Sequence, residues 1–341
     1  MGSPHTVIPT VRPGYGPRAE LGEEWPHAGM FLVQPVEKAA AANAGAASAD
    51  PTCWICGSTS LTLMRERTVP ARPTPEMFRV TDASYGQTFT IHRCGSCGFL
   101  QCMDAEDVIS QYEEMSDGLY VATSEARTRQ MQSLLRTVSK FKQKGRFLDV
   151  GAGIGLLVEE ARKLGFDAEG VEPSRALQAA AAANNLPLHL GVIPSPEITG
   201  PYDIVSAIDV IEHVDKPLDM LAAIRDLLAP DGIGVLVTPD VGSITARVMR
   251  RKWWHFRPAH IGYFDRHTIG LSLERAGLAP VLIERPTWYL PMDYLVSRVT
   301  SYLPSGNRIG VPKVLGRIKV PINLHDSLLV VFRRSDARRP A

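Results

Sequence analysis

The chain has almost no charge imbalance: 37 Lys and Arg stand against 36 Asp and Glu, a formal net charge of +1. Without a basic excess there is no bulk field to hold a polyanion, so nucleic acid is not the default partner. Long hydrophobic runs are missing as well. A membrane-spanning helix takes about 20 consecutive apolar residues, and the runs at 233–237 and 327–332 stop far short of that. Near the N-terminus only Met30-Phe-Leu-Val33 is apolar. No basic flank leads into a longer core there, which argues against a secretory signal peptide and gives a cytoplasmic expectation. Cysteine is absent outside one short region, since all five lie at 53, 56, 94, 97 and 102. In a chain read as intracellular, such clustering suggests metal before disulfide. What remains is a balance of 45% hydrophobic and 21% charged residues, which excludes wholesale disorder and a fibrous chain.

Residues 1–50 hold scattered prolines and then the small-residue run Ala39 to Ala49, with too little large apolar surface to order itself, and are read as a flexible tail. Residues 51–105 form a second unit. It contains Cys53-Trp-Ile-Cys56-Gly57 and, after a long excursion through Phe78 to Thr90, Cys94-Gly-Ser-Cys97-Gly98. Two residues between thiolates let both sulfurs reach one ion from a tight turn, and the following Gly supplies the left-handed geometry that turn needs. Two such knuckles complete a tetrahedral Cys₄ zinc site of Cys53, Cys56, Cys94 and Cys97. A redox pair would call for a thioredoxin-like βαβ setting, which is missing. Cys102 falls outside the pattern and reads as a buried small hydrophobe; His92 reads as a strand residue, with ligation as its alternative. A closed Cys₄ shell has no open position, so the zinc is structural.

From 106 to 144 a helical linker is expected, with Met131, Leu134, Leu135, Val138 and Phe141 at helical spacing. From 145 to 335 strand-like and helix-like segments alternate, the signature of a parallel sheet wound with helices. Residues 285–325 interrupt this alternation as an insertion, and 336–341 form a short tail. Where Phe147-Leu-Asp-Val-Gly151-Ala-Gly153-Ile-Gly155 leaves a strand and opens a helix, the glycines lie at the ligand-binding edge of such a sheet. A dinucleotide fingerprint needs Gly at 156, and Leu156 stands there, so NAD is disfavoured. A cofactor without phosphates instead needs an acid near the loop, and Asp149 is placed for it. Some 20 residues on, Glu172 ends the next strand and can accept both hydroxyls of a ribose.

Asp149 to Gly155, Glu172 and Tyr202-Asp-Ile-Val-Ser-Ala-Ile-Asp209-Val-Ile-Glu-His213-Val resemble a class I S-adenosylmethionine-dependent methyltransferase of the ubiquinone-biosynthesis-like branch. The turn Leu227-Leu-Ala-Pro230-Asp-Gly232 and the final strand from Ser327 to Arg334 are similar to that family too, and the Cys₄ module resembles the zinc-ribbon-like extension of a bacterial subgroup. The resemblance implies an α/β fold with a Rossmann-like seven-stranded sheet, helices on both faces and a small zinc-ribbon-like module in front. It implies that Gly151 and Gly153 approach the methionine part of the cofactor, with Ala152 and Gly155 of the same loop also at the cofactor, that Asp149 supports the loop, that Glu172 holds the ribose, and that Asp209 lies on the sulfonium side. Between Gly191 and Gly200, where such enzymes often carry an acid for the adenine, this chain offers only Glu197.

The cofactor brings the reactive carbon, so the protein aligns, excludes water and, for a hydroxyl or protonated amine acceptor, supplies a base. His213 follows the fourth strand of the alternating region, with a helix-start role as its alternative. His260 lies in Trp253-Trp-His255-Phe-Arg257-Pro-Ala-His260-Ile-Gly-Tyr263-Phe, an aromatic and basic stretch placed to roof the pocket, with capping of the next helix as its alternative. Arg257 could pair with an anionic substrate group or form a surface ion pair. The insertion, with Trp288, Tyr294 and Tyr302 and then Arg308, Lys313, Arg317 and Lys319, would shape acceptor choice. The expected activity is methyl transfer from S-adenosylmethionine to O or N of a small molecule, such as a secondary metabolite or a cell-surface sugar precursor. Its rivals are an RNA or protein methyltransferase whose zinc module grips the polymer, and a non-catalytic binding module that keeps the cofactor.

Overall fold

The computed structural model describes residues 51–79, 85–105, 108–113, 124–301 and 313–337. The proposed N-terminal tail, Tyr302 and Arg308 lie outside them. Three strands open the described chain: β1 (Leu61–Arg65), β2 (Ile91–Cys94) and β3 (Leu100–Cys102). Two helices follow, α1 (Val108–Glu113) and α2 (Ser124–Val138). The helix expected to continue through Phe141 and Lys142 ends at Val138, and the next residues close as turns back onto Leu135, Thr137 and Val138.

Next come β4 (Arg146–Val150), α3 (Leu156–Lys163), β5 (Asp167–Glu172), α4 (Arg175–Ala182), β6 (Leu188–Leu190), β7 (Tyr202–Ile208), α5 (Pro217–Leu227) and β8 (Leu228–Pro239). The chain continues through α6 (Ile244–Met249), β9 (Gly262–Tyr263), α7 (Arg266–Arg275), β10 (Leu278–Glu284), β11 (Trp288–Pro291), α8 (Met292–Ser301), β12 (Lys319–Ile322) and β13 (Ser327–Arg334). The main sheet has seven strands in the order β10-β13-β8-β7-β4-β5-β6, so the expected Rossmann-like α/β architecture is present. Its first five strands in sequence run parallel, and β13 is antiparallel to both β8 and β10. Consecutive strands step one way from β4 to β5 and β6, and β7 then crosses to the other side of β4. This reversal is a topological switch point, where the crevice beyond the strand ends takes ligands.

Burial explains why the central strands read as continuous apolar runs. Ile233, Val235, Leu236 and Val237 of β8 and Leu328 to Phe332 of β13 are all buried, because helices cover both faces. One face is built with α2 and α3, through Leu134, Leu135, Val138, Leu157 and Val158. The other is shared with the cysteine module, where Cys53, Ile55, Cys94, Cys97 and Phe99 belong to one core with Leu148, Val150, Val205 and Phe264. The rings of Phe99 and Phe264 lie 4.9 Å apart.

From sequence the cysteine module ends at 105. In the fold its four-stranded sheet runs β1-β2-β3-β9, so the last strand comes from far along the chain, with Leu100 opposite Tyr263 and Gln101 opposite Gly262. Buried Gln101 ties the first knuckle down: its Oε1 accepts from Trp54 N–H at 2.8 Å and its Nε2 donates to the Thr52 carbonyl at 2.9 Å. The insertion opens and closes as the two-stranded ribbon of β11 and β12, with α8 between them. Lys319 reaches Glu125 of α2 at 3.2 Å.

Candidate functional site

The glycine loop leaves β4 at the switch point and turns directly into α3. Gly151 sits at φ +71°, and a Cβ there would stand 2.6 Å from Val210 Cγ2, so only glycine fits. Gly151 and Ala152 donate their N–H groups to the Val171 carbonyl at 2.9 and 3.1 Å, and Gly155 donates back to Ala152 at 2.9 Å. Glu172 clamps the loop. Its Oε2 accepts from Gly153 N–H and its Oε1 from Ser174 N–H, both at 2.8 Å. Each oxygen keeps a second lone pair, so the carboxylate can still receive two hydroxyls. Burial raises the Glu172 pKa, and the two backbone donors oppose that rise. Asp149 lies beneath the loop, where its Oδ1 accepts from Ser206 Oγ at 2.6 Å. Burial pushes its pKa up to about 7 although the Ser206 bond favours the anion. Glu197 is exposed and lies 3.9 Å from His189 Nδ1.

At the end of β7, Asp209 adopts φ +54°, a conformation uncommon outside glycine. Burial pushes its pKa up to about 7, opposed by the positive charges of Arg127 and Arg257. A single turn, Ile211–His213, follows. His213 Nδ1 lies 2.7 Å from the Ala259 carbonyl. A carbonyl only accepts, so Nδ1 carries the proton, and Nε2 lies 4.0 Å from Glu212 Oε1. Burial drives the His213 pKa down to about 4, which keeps the ring neutral. His260 meets it edge-on at 4.8 Å between centroids, and His255 stacks on His260 at 5.6 Å. His260 is more deeply buried, and burial together with His213, Arg257 and His255 depresses its pKa well below the usual range. Ligand atoms of Glu212, His213 and His260 all lie within 4.8 Å of one another. His260 does not cap the following helix. Asp265 does so, in a capping box with Thr268.

The four cysteines form the second site. Cys53 Sγ lies 3.6 Å from Cys97 Sγ and Cys56 Sγ 3.5 Å from Cys94 Sγ, and all four sulfurs fall within 4.8 Å of one another. Sulfurs about 2.3 Å from a tetrahedral ion stand roughly 3.8 Å apart, so the donor set fits one zinc. Gly57 and Gly98 turn at φ +73° and +80°, each donating to the carbonyl of its knuckle's first cysteine. Burial opposes the Cys94 thiolate, yet N–H groups of Cys97 and Ser96 hold its pKa down at about 6. Burial pushes Cys53 and Cys97 upward. Such thiols ionise readily only beside a cation. His92 lies on β2 outside this cluster, and Cys102 is buried, as read from sequence.

Residues 123–283, spanning the glycine loop, Glu172, Asp209 and both histidines, match the family described as "Methyltransferase domain". Over that stretch, somewhat under half of the chain, the sequence is similar to a methyltransferase domain. Similar proteins include ubiquinone biosynthesis O-methyltransferases. The one from Caulobacter sp. (strain K31) is 37% identical over 27% of this chain and 40% of that protein; the one from Rhodopseudomonas palustris (strain TIE-1) is 32% identical over 34% and 45%. The chain thus spans less than half the length of these relatives. Among solved structures, magnesium protoporphyrin IX methyltransferase from Synechocystis PCC 6803, 15% identical, aligns over 67% of this chain and 94% of that one with a TM-score of 0.43.

Sequence alone does not single out three further groups near this site. Ser206 reads from sequence as one residue of a strand. Arg127 looked like an ordinary charge on a linker helix, where charges are usually solvated. Asp326 is buried just before β13, with His255 Nε2 at 3.6 Å and Trp253 Nε1 donating to it at 3.3 Å. An acid directly before a strand with the apolar run Leu328 to Phe332 is the one available signal. Arg257, for which a surface ion pair had been the alternative, is buried and donates to the Arg79 carbonyl.

Proposed function

We propose that the chain moves a methyl group from S-adenosylmethionine to an oxygen or nitrogen of a small-molecule acceptor, with a structural zinc in the Cys₄ module. The observation that carries this reading is Glu172, a buried carboxylate that closes a glycine loop at the switch point and keeps free lone pairs for a ribose. The methyltransferase domain match and the names of the relatives support it. When bound, the cofactor supplies an electrophilic methyl group on a sulfonium. Gly151 and Gly153 let the backbone approach its methionine part, Glu172 takes the ribose, and Asp209 faces the positive sulfur. His213 Nε2 takes the acceptor proton, its tautomer fixed by the Ala259 carbonyl. His260 packs against His213 and holds its ring. The insertion at 285–325 shapes the acceptor side.

Calorimetric titration with S-adenosylmethionine and S-adenosylhomocysteine between pH 6 and 8 tests the donor half. Asp209, with its pKa near 7, is mostly protonated at the lower limit and mostly ionised at the upper. The two ligands differ by the methyl group and its charge. Binding of the sulfonium should therefore strengthen relative to the thioether by up to about tenfold across that range. A flat ratio removes Asp209 from the sulfonium; failure of both ligands to bind folded protein overturns the whole reading.

His213→Asn retains a donor to the Ala259 carbonyl but has no base. Turnover, read as S-adenosylhomocysteine release with an acceptor found in pooled metabolites and sugar nucleotides, should fall by about 10²–10⁴ with cofactor affinity unchanged. In the parent protein the acid limb should lie near the depressed pKa of about 4 rather than at the usual histidine value. Turnover within a factor of two of the parent would show that His213 is not the base.

A further inference from the structure

The four sulfurs of the Cys₄ module are unequally shielded. Cys53, Cys94 and Cys97 are 2%, 1% and 9% exposed, whereas Cys56 is half-buried. The ground around Cys56 is open: Gly57, Gly95 and Ser96 are exposed, and a Cβ added at Gly57 would meet nothing within 4 Å. A small oxidant therefore reaches Cys56 before the other three. Cys94 Sγ stands 3.5 Å from Cys56 Sγ, on the opposite knuckle. A purely structural shell needs no such opening, since four enclosed sulfurs hold zinc equally well. An accessible thiolate with a second sulfur in reach is the arrangement of a redox-sensitive cysteine pair.

What the knuckles hold in place lies on the acceptor side. Gln101, which binds the first knuckle through Trp54 N–H, sits on β3, and the next residue, Cys102, donates its N–H to the Ile261 carbonyl at 2.8 Å. Ile261 N–H in turn donates to the Glu212 carbonyl at 2.9 Å, directly before His213, and the Tyr263 hydroxyl donates to the His260 carbonyl at 2.8 Å. The roof segment is thus fastened to the module on one side and to the histidine turn on the other. The glycine loop is held separately, by the Val171 carbonyl and the Glu172 carboxylate.

We propose that Cys56 is an oxidation site with Cys94 as its resolving partner, so that a peroxide converts the zinc-loaded module into a Cys56–Cys94 disulfide form that releases the ion and slackens the roof over the acceptor. This assignment rests on the zinc reading of the module. Hydrogen peroxide oxidises the Cys56 thiolate: an S–O bond forms, the O–O bond breaks, and hydroxide leaves with the electron pair. The Cys94 thiolate then attacks the sulfenic sulfur, an S–S bond forms and a second hydroxide departs. One peroxide and two thiolates give one disulfide and two hydroxides, the sulfurs losing the two electrons that the peroxide gains. Cys53 and Cys97 alone remain to the ion, too few for a closed shell. The new bond joins positions 38 residues apart, one on each knuckle, and so keeps the oxidised module together.

The test treats the zinc-loaded full chain with equimolar hydrogen peroxide, follows zinc release with a chromogenic chelator and maps the sulfurs by peptide mass spectrometry. The ion should leave as the Cys56–Cys94 disulfide forms, with Cys53 and Cys97 recovered as thiols, and a thiol reductant with added zinc should restore the starting form. In hydrogen exchange, residues 259–264 should exchange about tenfold or more faster after oxidation, while residues 149–155 keep their protection and S-adenosylhomocysteine binds as before. Cys56→His keeps a fourth ligand without the oxidisable sulfur, and its zinc should leave at least about tenfold more slowly. Cys102→Ala, at a buried position outside the cluster, should release zinc like the parent. Zinc kept under peroxide, a disulfide other than Cys56–Cys94, release from Cys56→His as fast as from the parent, or equal loss of protection at 149–155 and 259–264 overturns the proposal alone. If Cys56→His holds no zinc, the sulfur map of the parent decides. A chain that takes up no zinc overturns the zinc reading and the oxidation site with it.

Discussion

Cys94→Ser should release the zinc and cost the protein a large part of its stability, well beyond the cysteine module itself. The reason is where the knuckles sit. Cys53, Ile55, Cys94, Cys97 and Phe99 pack in one core with Leu148, Val150 and Val205 of the central sheet, and β9 ties the module's sheet to the segment after β8. Structural zinc sites contribute about 10–16 kcal/mol of apparent binding energy, against a net domain stability of about 5–15 kcal/mol. Even a partial loss of about 5 kcal/mol lowers the unfolding midpoint by roughly 10–20 °C in a domain of this size. Without the ion, the buried sulfurs of Cys53 and Cys97, whose pKa values burial raises, stay as thiols, and nothing joins the two knuckles. Cys102→Ala is the comparison. It lies outside the cluster, so one zinc should remain and only about 1 kcal/mol be lost to a small cavity. Native mass spectrometry with thermal scans of both variants checks this. A parent protein without zinc, or an unchanged midpoint for Cys94→Ser, would sink it.

The same fusion marks where sequence stops being informative. The parallel sheet is legible because strands buried on both faces become unbroken apolar runs, as in Ile233 to Val237. The knuckles are legible because their chemistry is local, two residues between thiolates and a glycine after them. Strand β9 is not, since two residues, Gly262 and Tyr263, carry no periodicity, and their partners Gln101 and Leu100 lie more than 150 positions earlier. Likewise the Glu172 side chain is written in sequence as an acid at a strand end, with nothing to say that Gly153 N–H already points at it. The aromatic and basic stretch after β8 could be recognised as unusual from its composition. Which tautomer His213 holds depends on the Ala259 carbonyl, which sits 46 residues beyond it.

Glu172→Gln should weaken cofactor binding by orders of magnitude although it preserves size and shape. Both Glu172 oxygens receive backbone N–H groups, from Gly153 and from Ser174. A glutamine offers one oxygen and one NH₂, so in either orientation a buried N–H faces another donor. Leaving that group unpaired costs about 1–3 kcal/mol, and hydrogen bonds from ribose hydroxyls to a charged acceptor are worth about 1.5–3 kcal/mol. The first weakens the loop with or without ligand, and the second, taken over two ribose hydroxyls, lowers affinity for S-adenosylhomocysteine by roughly 10²–10⁴. The two parts can be separated, because only one involves the ligand. In the parent, the 2′-deoxy analogue should bind about tenfold or more weaker than S-adenosylhomocysteine, whereas in Glu172→Gln, tested at high ligand concentration, the two should bind alike. A variant that still discriminates between them would place the ribose elsewhere and leave Glu172 as the clamp of the loop alone.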